Sequence, residues 1–484
     1  MFSASPAPVV TRAAAVRDIS IQLVGRVANL ALGVVVTVVT VRTLGVRGNG
    51  QWATLLAGVA IVGNIGQLGM ESVAVRKAAA DPDETANWLG ALLVMRVVFS
   101  IPAFALALLL AIVEFHASEI RIAGLLVAAT LLAGAPSSLL VAFQLQTRND
   151  RSIVVMTVQS LIWAAAVGLV AVEHGRLIAF AAALLVTTVL TSTLAAGWVI
   201  RGGHVALRGA RRHARELVTI GFILGVGSTL TFAYGRVDQL LVQHYTGSHG
   251  AGIYGTAYML LDRVQFLPAA IMTTMFPLLA AAWPANPDRA RRLVQQVIEA
   301  MALISVPAVA FTAVAGRPLI VLLFGEQFAP SAAVLPVLML AFVSTCFGYL
   351  IGYLAVIVNR QRAFVRIASI ALVFNIAANV VLIPRYGYLA AAWVTVATEV
   401  VVIVQAIHVA LSPLQMTFKP GRLPNAILAA AIMALFVYVA DRAGVNVIGL
   451  GAIAGVTYPV AVVLCGGLAP EDRAAVMRKL RRGK

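Results

Sequence analysis

Leu89–Val113 reads LGALLVMRVVFSIPAFALALLLAIV, an apolar run interrupted by a single charge, Arg96. About 20 apolar residues of helix cross a hydrocarbon layer of roughly 30 Å, so this stretch is long enough to span a bilayer. An arginine in its interior then needs a polar or wet neighbour. Runs of the same kind recur at Ile19–Val41, Trp52–Val75, Ile122–Gln144, Ser152–Val172, Leu177–Ile200 and Leu217–Gln243. They continue at Gly252–Met275, Val294–Val314, Ala332–Val358, Ala363–Ile383, Leu389–Leu411, Ile427–Ala440 and Ile448–Leu464, the last pair being short. Backbone groups in lipid must be satisfied within the segment, which makes such runs helical. The expectation is an all-α integral membrane protein of about 14 transmembrane helices, with no room for a large soluble domain.

Composition points the same way. The chain is 61% hydrophobic and 11% charged, whereas a soluble domain is about one quarter charged. Ile19–Val41 is too long for a signal-peptide core and no small-residue cleavage site follows it, so the amino terminus is expected to remain. Cys346 and Cys465 both fall in apolar runs, which implies small packed thiols and neither a disulfide framework nor a metal site.

A net charge of +17 would suit nucleic acid, but the basic residues sort by loop parity. Arg76 and Lys77, Arg148 and Arg151, Arg201, Arg208, Arg211, Arg212 and Arg215, Arg289, Arg291 and Arg292, Arg360, Arg362 and Arg366, and the Arg478–Lys484 tail all fall on one side. Charge asymmetry of this kind sets orientation, with both termini cytoplasmic, and implies no nucleic-acid partner. The tail reads as a topological anchor ahead of a lipid-headgroup contact.

An internal repeat divides the chain. The turn Leu44-Gly45-Val46-Arg47-Gly48-Asn49-Gly50-Gln51-Trp52 is echoed by Thr246-Gly247-Ser248-His249-Gly250-Ala251-Gly252-Ile253-Tyr254, with Gly45, Gly48 and Gly50 matching Gly247, Gly250 and Gly252 and Trp52 matching Tyr254. Glycine tolerates the positive φ of a tight turn, and the aromatic ring is expected at headgroup level. A second echo relates Thr147-Arg148-Asn149-Asp150-Arg151 to Val358-Asn359-Arg360-Gln361-Arg362. The expected division is a cytoplasmic amino terminus (1–18), a first six-helix repeat (19–200), a basic linker (201–216), a second six-helix repeat (217–411), an extra helix pair (412–466) and a basic cytoplasmic tail (467–484). Two parallel repeats around a central cavity suit alternating access.

These residues resemble the polysaccharide transporter family, the O-antigen and lipid-linked oligosaccharide flippases of the multidrug, oligosaccharidyl-lipid and polysaccharide flippase superfamily. The resemblance rests on Leu44-Gly45, Gly50-Gln51-Trp52, Gly66-Gln67-Leu68-Gly69-Met70, Tyr234-Gly235-Arg236-Val237-Asp238-Gln239-Leu240, Gly252-Ile253-Tyr254 and Met275-Phe276-Pro277. It continues through Leu323-Phe324-Gly325-Glu326-Gln327-Phe328, Asn359-Arg360-Gln361-Arg362 and Ile383-Pro384-Arg385-Tyr386-Gly387-Tyr388-Leu389-Ala390-Ala391-Ala392. Each motif is weak alone, and their order and spacing are specific. The resemblance implies a polyprenyl-diphosphate-linked glycan as cargo in the cytoplasmic (inner) membrane, no enzymatic activity of its own, and a polysaccharide polymerase and glycosyltransferases as neighbours in assembly.

Polar groups placed where lipid penalises them mark the expected site. Arg26, Arg96, Arg236 and Arg263 fall inside runs, as do Glu71, Asp238, Asp262, Glu299 and Glu399. Gln22, Arg26, Asn29 and Gly33 share one face of the first helix, Asn64, Gln67 and Glu71 one face of the second, and Tyr254, Tyr258, Asp262 and Gln265 one face of the eighth, as spacings of three, four and seven require. Guanidinium groups bind pyrophosphate by bidentate, charge-assisted hydrogen bonds, so the expected substrate cavity holds Arg26, Arg96, Arg236 and Arg263 with Gln22, Asn29, Asn64, Gln67 and Tyr258. Glu71, Asp238 and Asp262 are the expected carriers of a coupling Na⁺ or H⁺, and no other cofactor is implied. Gly221, Gly225 and Gly227 lack the Lys-Ser or Lys-Thr of a nucleotide loop and read as helix-packing glycines.

Three other readings compete. A peptidoglycan-precursor (lipid II) flippase also carries two extra helices, but the first turn here lacks the acidic residue associated with that branch. A cation-coupled multidrug antiporter would want an apolar or acidic cavity, which four intramembrane arginines oppose. A membrane polysaccharide polymerase or ligase needs a large outward catalytic loop; every such loop is short, and His116, His174, His244 and His249 are scattered singly.

Overall fold

The computed structural model describes residues 12–145, 149–203, 205–207, 210–415 and 420–467. Every element among them is helical. The first half contains α1 (Arg12–Gln67), α2 (Met70–Ala80), α3 (Thr85–Glu114), α4 (Ser118–Ala133), α5 (Val141–Leu145), α6 (Asn149–Val172) and α7 (Leu177–Arg201). There follow α8 (Ala210–Tyr234), α9 (Val237–Val264), α10 (Phe266–Ala282), α11 (Pro287–Phe324), α12 (Ser331–Ile357), α13 (Gln361–Tyr386) and α14 (Tyr388–Leu411). The last pair is α15 (Leu423–Arg442) and α16 (Val447–Leu464). Thr147, Arg148 and the termini, including the Arg478–Lys484 cluster, lie outside the described residues.

Local chemistry places several of these ends. Asn286 caps α11 by accepting from the Arg289 amide at 3.0 Å with Pro287 in the first turn, and Asn446 caps α16 by accepting from the Gly449 amide at 2.8 Å, each filling one of the donors a helix start leaves open.

Among the described residues 12 helical segments are long and apolar enough to cross a membrane, so the chain is a multi-pass membrane protein. Two of the twelve, Ala31–Ala80 and Gly225–Ala282, run to 50 and 58 residues. A helix of fifty residues measures about 75 Å, far beyond one crossing. Each is bent at a glycine: Gly45 (φ 65°, ψ −178°) inside α1 and Gly247 (φ 68°, ψ −177°) inside α9. The expected count of about fourteen is therefore neither reproduced nor excluded by twelve segments of which two contain a sharp bend. Both short carboxyl-terminal runs form helices, of 20 and 18 residues.

Several continuous runs are interrupted. The run read as Trp52–Val75 breaks at Leu68 (φ 42°) and Gly69 (φ 65°), where the backbone of α8 at Gly221 and Gly225 presses against the break. Leu217–Gln243 breaks at Gly235–Arg236, and Gly252–Met275 breaks at Gln265. Hydropathy averaged over a whole span does not register these interruptions, although polar residues such as Gln67, Arg236 and Gln265 stand at them.

Packing separates the interior into several cores. One, around Tyr254, Phe324, Phe328 and Phe342, joins α9 to α14 with Val41 and Val46 of α1. Another, around Trp88, Leu92 and Phe143, joins the first half to Ala210 and Leu217 of α8, and a third, around Trp52, Phe115 and Phe180, draws its buried residues from the first half. Large apolar side chains such as Val113, Leu169, Val172, Val373 and Leu435 point outward; on a soluble protein they would form an aggregating surface, and here they form the lipid-facing belt.

Candidate functional site

The bends bring α1 and α9 together. Backbone at Gly50 lies against Ser248 and Gly252, and backbone at Gly252 against Val46, so close that a Cβ at either position would overlap a carbonyl. Asn49 of one turn donates to Thr256 Oγ1 beyond the other at 2.9 Å. The two helices also border a cavity of about 330 Å³. Its wall comes from Thr37, Thr40 and Trp52 of α1, Trp163 of α6, Leu184 of α7, and Gln239, Tyr258, Asp262 and Arg263 of α9. A second space of about 480 Å³ shares Arg236, Met259, Asp262 and Arg263 with it and extends to Gln265, Phe266 and Tyr349.

The charged groups in this cavity are unequal. Arg236 sits at the break between α8 and α9. Its Nη2 donates to Asp262 Oδ2 at 2.8 Å, and its guanidinium lies over the Tyr258 ring at 5.2 Å and the Phe232 ring at 5.9 Å. Tyr258 is itself fixed by a hydrogen bond from its hydroxyl to the Gly235 carbonyl. Arg236 is thus positioned and neutralised. Arg263 instead donates to neutral acceptors, Thr37 Oγ1 at 2.7 Å and the Gly33 carbonyl at 3.3 Å. Among the described residues no carboxylate forms an ion pair with it. Of the two guanidiniums at the cavity, Arg236 is paired with Asp262 at 2.8 Å, while Arg263 acts on Asp262 only from a distance and makes its direct bonds to neutral oxygens.

Asp238 does not face the cavity. It is 1% exposed and accepts from the Tyr254 hydroxyl, from Thr395 Oγ1 at 3.2 Å and from the Gln239 amide at 2.8 Å. On α14, Thr398, three residues after Thr395, accepts from buried Asn375 at 3.1 Å, to which Asn379 donates at 2.9 Å.

The remaining expected residues scatter. Gln22 and Arg26 lie on α1, but their side chains are outside the described residues. Asn29 donates to Thr157 of α6 at 3.1 Å, and Asn64 accepts from Thr229 of α8 at 3.2 Å. Gln67 is exposed at the end of α1. Glu71 on α2 and Arg96 on α3 are charge partners in the first half, where Arg96 Nε is buried without a hydrogen-bond partner. Because the helix stops at Gln67 and restarts at Met70, the seven-residue spacing from Asn64 to Glu71 no longer defines one face.

Trp52 and Tyr254 also depart from expectation: neither ring lies at a lipid headgroup. Trp52 is stacked 6.5 Å from Trp163 at the cavity wall and Tyr254 is fully buried against Asp238. Each follows its glycine turn closely enough to be pulled into the crossing. Thr37 and Trp163 carried no distinguishing sequence signal, since a lone Thr and a lone Trp are common in spanning helices.

The model of the polysaccharide biosynthesis protein family matches residues 39–333, more than half of the chain and all of the cavity's principal residues except Thr37 and Tyr349. The chain belongs to this family. The later motifs at Asn359 and Ile383 fall beyond the matched segment. An uncharacterized membrane protein of Methanocaldococcus jannaschii is 23% identical over 194 residues; the match covers 39% of this chain and only 37% of that relative. Among solved structures, the lipid II flippase MurJ in an inward closed conformation superposes with a TM-score of 0.71 at 12% identity, covering 91% of this chain and 97% of its own. An inward-facing multidrug resistance MATE transporter gives 0.62 at 15% identity, covering 81% and 96%. A transporter of the same superfamily from Pyrococcus furiosus gives 0.53 at 17% identity, covering 82% and 94%. At these identities the likeness is one of fold, the all-α fold that these transporters share.

Proposed function

We propose that this family member is a flippase that carries a polyprenyl-diphosphate-linked oligosaccharide across the cytoplasmic membrane by alternating access, for cell-surface polysaccharide assembly, and that it catalyses no covalent step. The observation that carries the reading is Arg263, a cation in the cavity between α1 and α9 held by neutral acceptors and not by a carboxylate. Such a group keeps its charge available for phosphate oxygens, which bind guanidinium more strongly than neutral acceptors do. In this reading Arg236 stays clamped by Asp262 and supplies a second, oriented edge. Trp52 and Trp163 offer an apolar wall, and the glycan and bilayer are the partners, with polymerase and glycosyltransferases acting before or after.

Residues 19–200 and 217–411 then form the two rocking halves, 412–466 an accessory pair, and both termini lie in the cytoplasm. Of the carboxylates expected to couple Na⁺ or H⁺, Asp262 is ion-paired to Arg236, whereas Glu71 and Asp238 each feel an arginine, Arg96 and Arg236, at longer range.

Movement of a fluorescent polyprenyl-diphosphate oligosaccharide in liposomes tests this. Losing one charge-assisted contact of about 1.5–3 kcal/mol predicts transport by Arg263→Ala at about a tenth of wild type or less, with Arg263→Lys intermediate because an ammonium lacks the bidentate fork. Wild-type protein that moves no lipid-linked sugar but exchanges a small cation for protons would make it an antiporter. Preference for a lipid II cargo over other glycans would place it with the peptidoglycan-precursor flippases.

A further inference from the structure

Glu399 of α14 is 8% exposed, lies within a membrane-spanning segment, and was not among the carboxylates expected to carry a coupling ion. The other intramembrane acids have compensation: Asp262 pairs with Arg236, Glu299 with Arg422 at 3.6 Å, Glu71 interacts with Arg96, and Asp238 accepts three hydrogen bonds. Among the described residues Glu399 has no cationic partner. The Thr345 hydroxyl on α12 lies beside it.

The groups facing it are the Tyr234 phenol from α8, the Tyr258 phenol from α9, and the Cys346 thiol and Tyr349 phenol from α12. On α13, Asn375 and Asn379 are neutral amides engaged with Thr398 and each other. None of these can balance a negative charge, and an isolated carboxylate in such surroundings takes up a proton instead of staying ionised.

The hydrogen count agrees. Thr345 Oγ1 also lies 3.1 Å from the Ala341 carbonyl, to which it donates. A hydroxyl has one proton to give and two lone pairs to offer. The Thr345 proton goes to Ala341, so what Thr345 can offer Glu399 is a lone pair, which only a protonated carboxyl can use. An ionised Glu399 would compete with Ala341 for the single Thr345 proton.

Two of these neighbours reach the cavity. Tyr258 lines the first space and Tyr349 the second, and a Cβ at Gly348 would stand 3.8 Å from Glu399 Oε2. We propose that Glu399 is a proton-binding site of the transport cycle, loaded from cavity water when the cavity opens to one side and discharged to water when it opens to the other. One proton joins the carboxylate and the same proton leaves it, with no other bond made or broken. The inference uses the flippase reading for its purpose, while the site itself stands on the burial and partners of Glu399.

Two measurements test it. In infrared difference spectra of the purified protein, alkalinisation should remove a protonated-carboxyl C=O band from wild type that Glu399→Gln lacks from the start. In liposomes holding the fluorescent glycolipid, an imposed pH gradient should accelerate wild-type transport and leave Glu399→Gln, which mimics the protonated acid, moving cargo at a rate independent of the gradient. If Glu399→Gln does not fold, Glu399→Asp carries the infrared test, and its band should shift and persist. Identical spectra for wild type and variant, or an undiminished gradient response in Glu399→Gln, would overturn the proposal. If wild type moves no glycolipid, the flippase reading fails while the infrared result still decides Glu399.

Discussion

The turn at Gly45 and the turn at Gly247 have the same backbone and different surroundings. Their dihedral angles agree within a few degrees, with φ of 65° and 68°. Beyond the bends, Trp52 joins the cavity wall against Trp163, whereas Tyr254 closes over Asp238 in the core. Before them, Arg42 reaches the last carbonyls of α11 at Leu322 and Leu323, whereas His244 meets Glu114 at the end of α3. Backbone geometry is what a crossing of two helices demands of both turns. The side chains are where each half takes up its own task, an aromatic wall in one and a buried carboxylate network in the other.

The largest test of the shared part is the crossing itself. Gly50→Ala and Gly252→Ala each place a methyl onto backbone, against Ser248 and Val46 respectively. Backbone cannot move aside as a flexible side chain does, so each should lower stability by roughly 3 kcal/mol, the upper end for overpacking. Thermal unfolding in detergent should show equal and large losses. A well-tolerated Gly50→Ala beside a damaging Gly252→Ala would mean that the halves meet unequally.

Next in size are the bends. The φ and ψ of Gly45 and Gly247 lie in a region essentially reserved for glycine, where other residues are strained by about 1–3 kcal/mol. Nothing crowds a Cβ at Gly247, and at Gly45 the nearest atom is Gln327 Oε1 at an ordinary 3.5 Å. Gly45→Ala and Gly247→Ala should therefore destabilise alike through backbone alone. A gap between them larger than about 1 kcal/mol would show that tertiary contacts, and not the turn, set the requirement.

Part of this was legible in the sequence and part was not, for a physical reason. The glycine spacing is local and survives as a pattern, so the matching turns could be read from residue types. The membrane class followed from the length of runs such as Leu89–Val113. Arg236 and Arg263 stood out because arginine in a spanning run is costly. That Asp262 neutralises one and Thr37 holds the other depends on how α1 lies against α9, and residue type carries no record of that non-local contact. The Asn64–Glu71 stripe failed because an apolar sequence hides a helix break at Leu68 and Gly69. Trp52 and Tyr254 were placed at the headgroups because aromatic residues beside turns usually sit there, and the crossing pulled both inward.

The next contrast concerns the aromatic pair. Tyr254→Phe removes a donor from buried Asp238 while keeping the ring, and an incompletely satisfied buried acceptor costs about 1–3 kcal/mol. Trp52→Phe keeps an aromatic surface against Trp163 and Phe180 and gives up about 0.5–1.5 kcal/mol of ring contact. Stability should fall more for Tyr254→Phe. Transport measured with the fluorescent glycolipid should fall for Trp52→Phe even where the protein remains folded, because that ring lines the cavity. The reverse order of stabilities would place the rigid element in the first half.

The smallest expected difference lies just before the bends, where Arg42 and His244 occupy equivalent places three residues ahead of their glycines. Arg42 donates through Nε to Leu323 at 2.8 Å and through Nη2 to Leu322, capping carbonyls at the carboxyl end of α11 that lack helical partners. A cation there also meets the negative end of the helix dipole, for about 0.3–1 kcal/mol. His244 Nδ1 lies 3.4 Å from a Glu114 oxygen, but the imidazole is largely exposed, and exposed ionic contacts amount to about 0–1 kcal/mol with screening by salt. Arg42→Gln should thus lower the melting temperature slightly at any ionic strength, since the open carbonyls remain after the charge is screened. At a pH acid enough to protonate the imidazole, His244→Gln should have an effect that fades as salt is added. Were both variants to lose the same stability at high salt, the two contacts would be equivalent fastenings of the crossing, and the asymmetry between the halves would begin only beyond the glycines, at Trp52 and Tyr254.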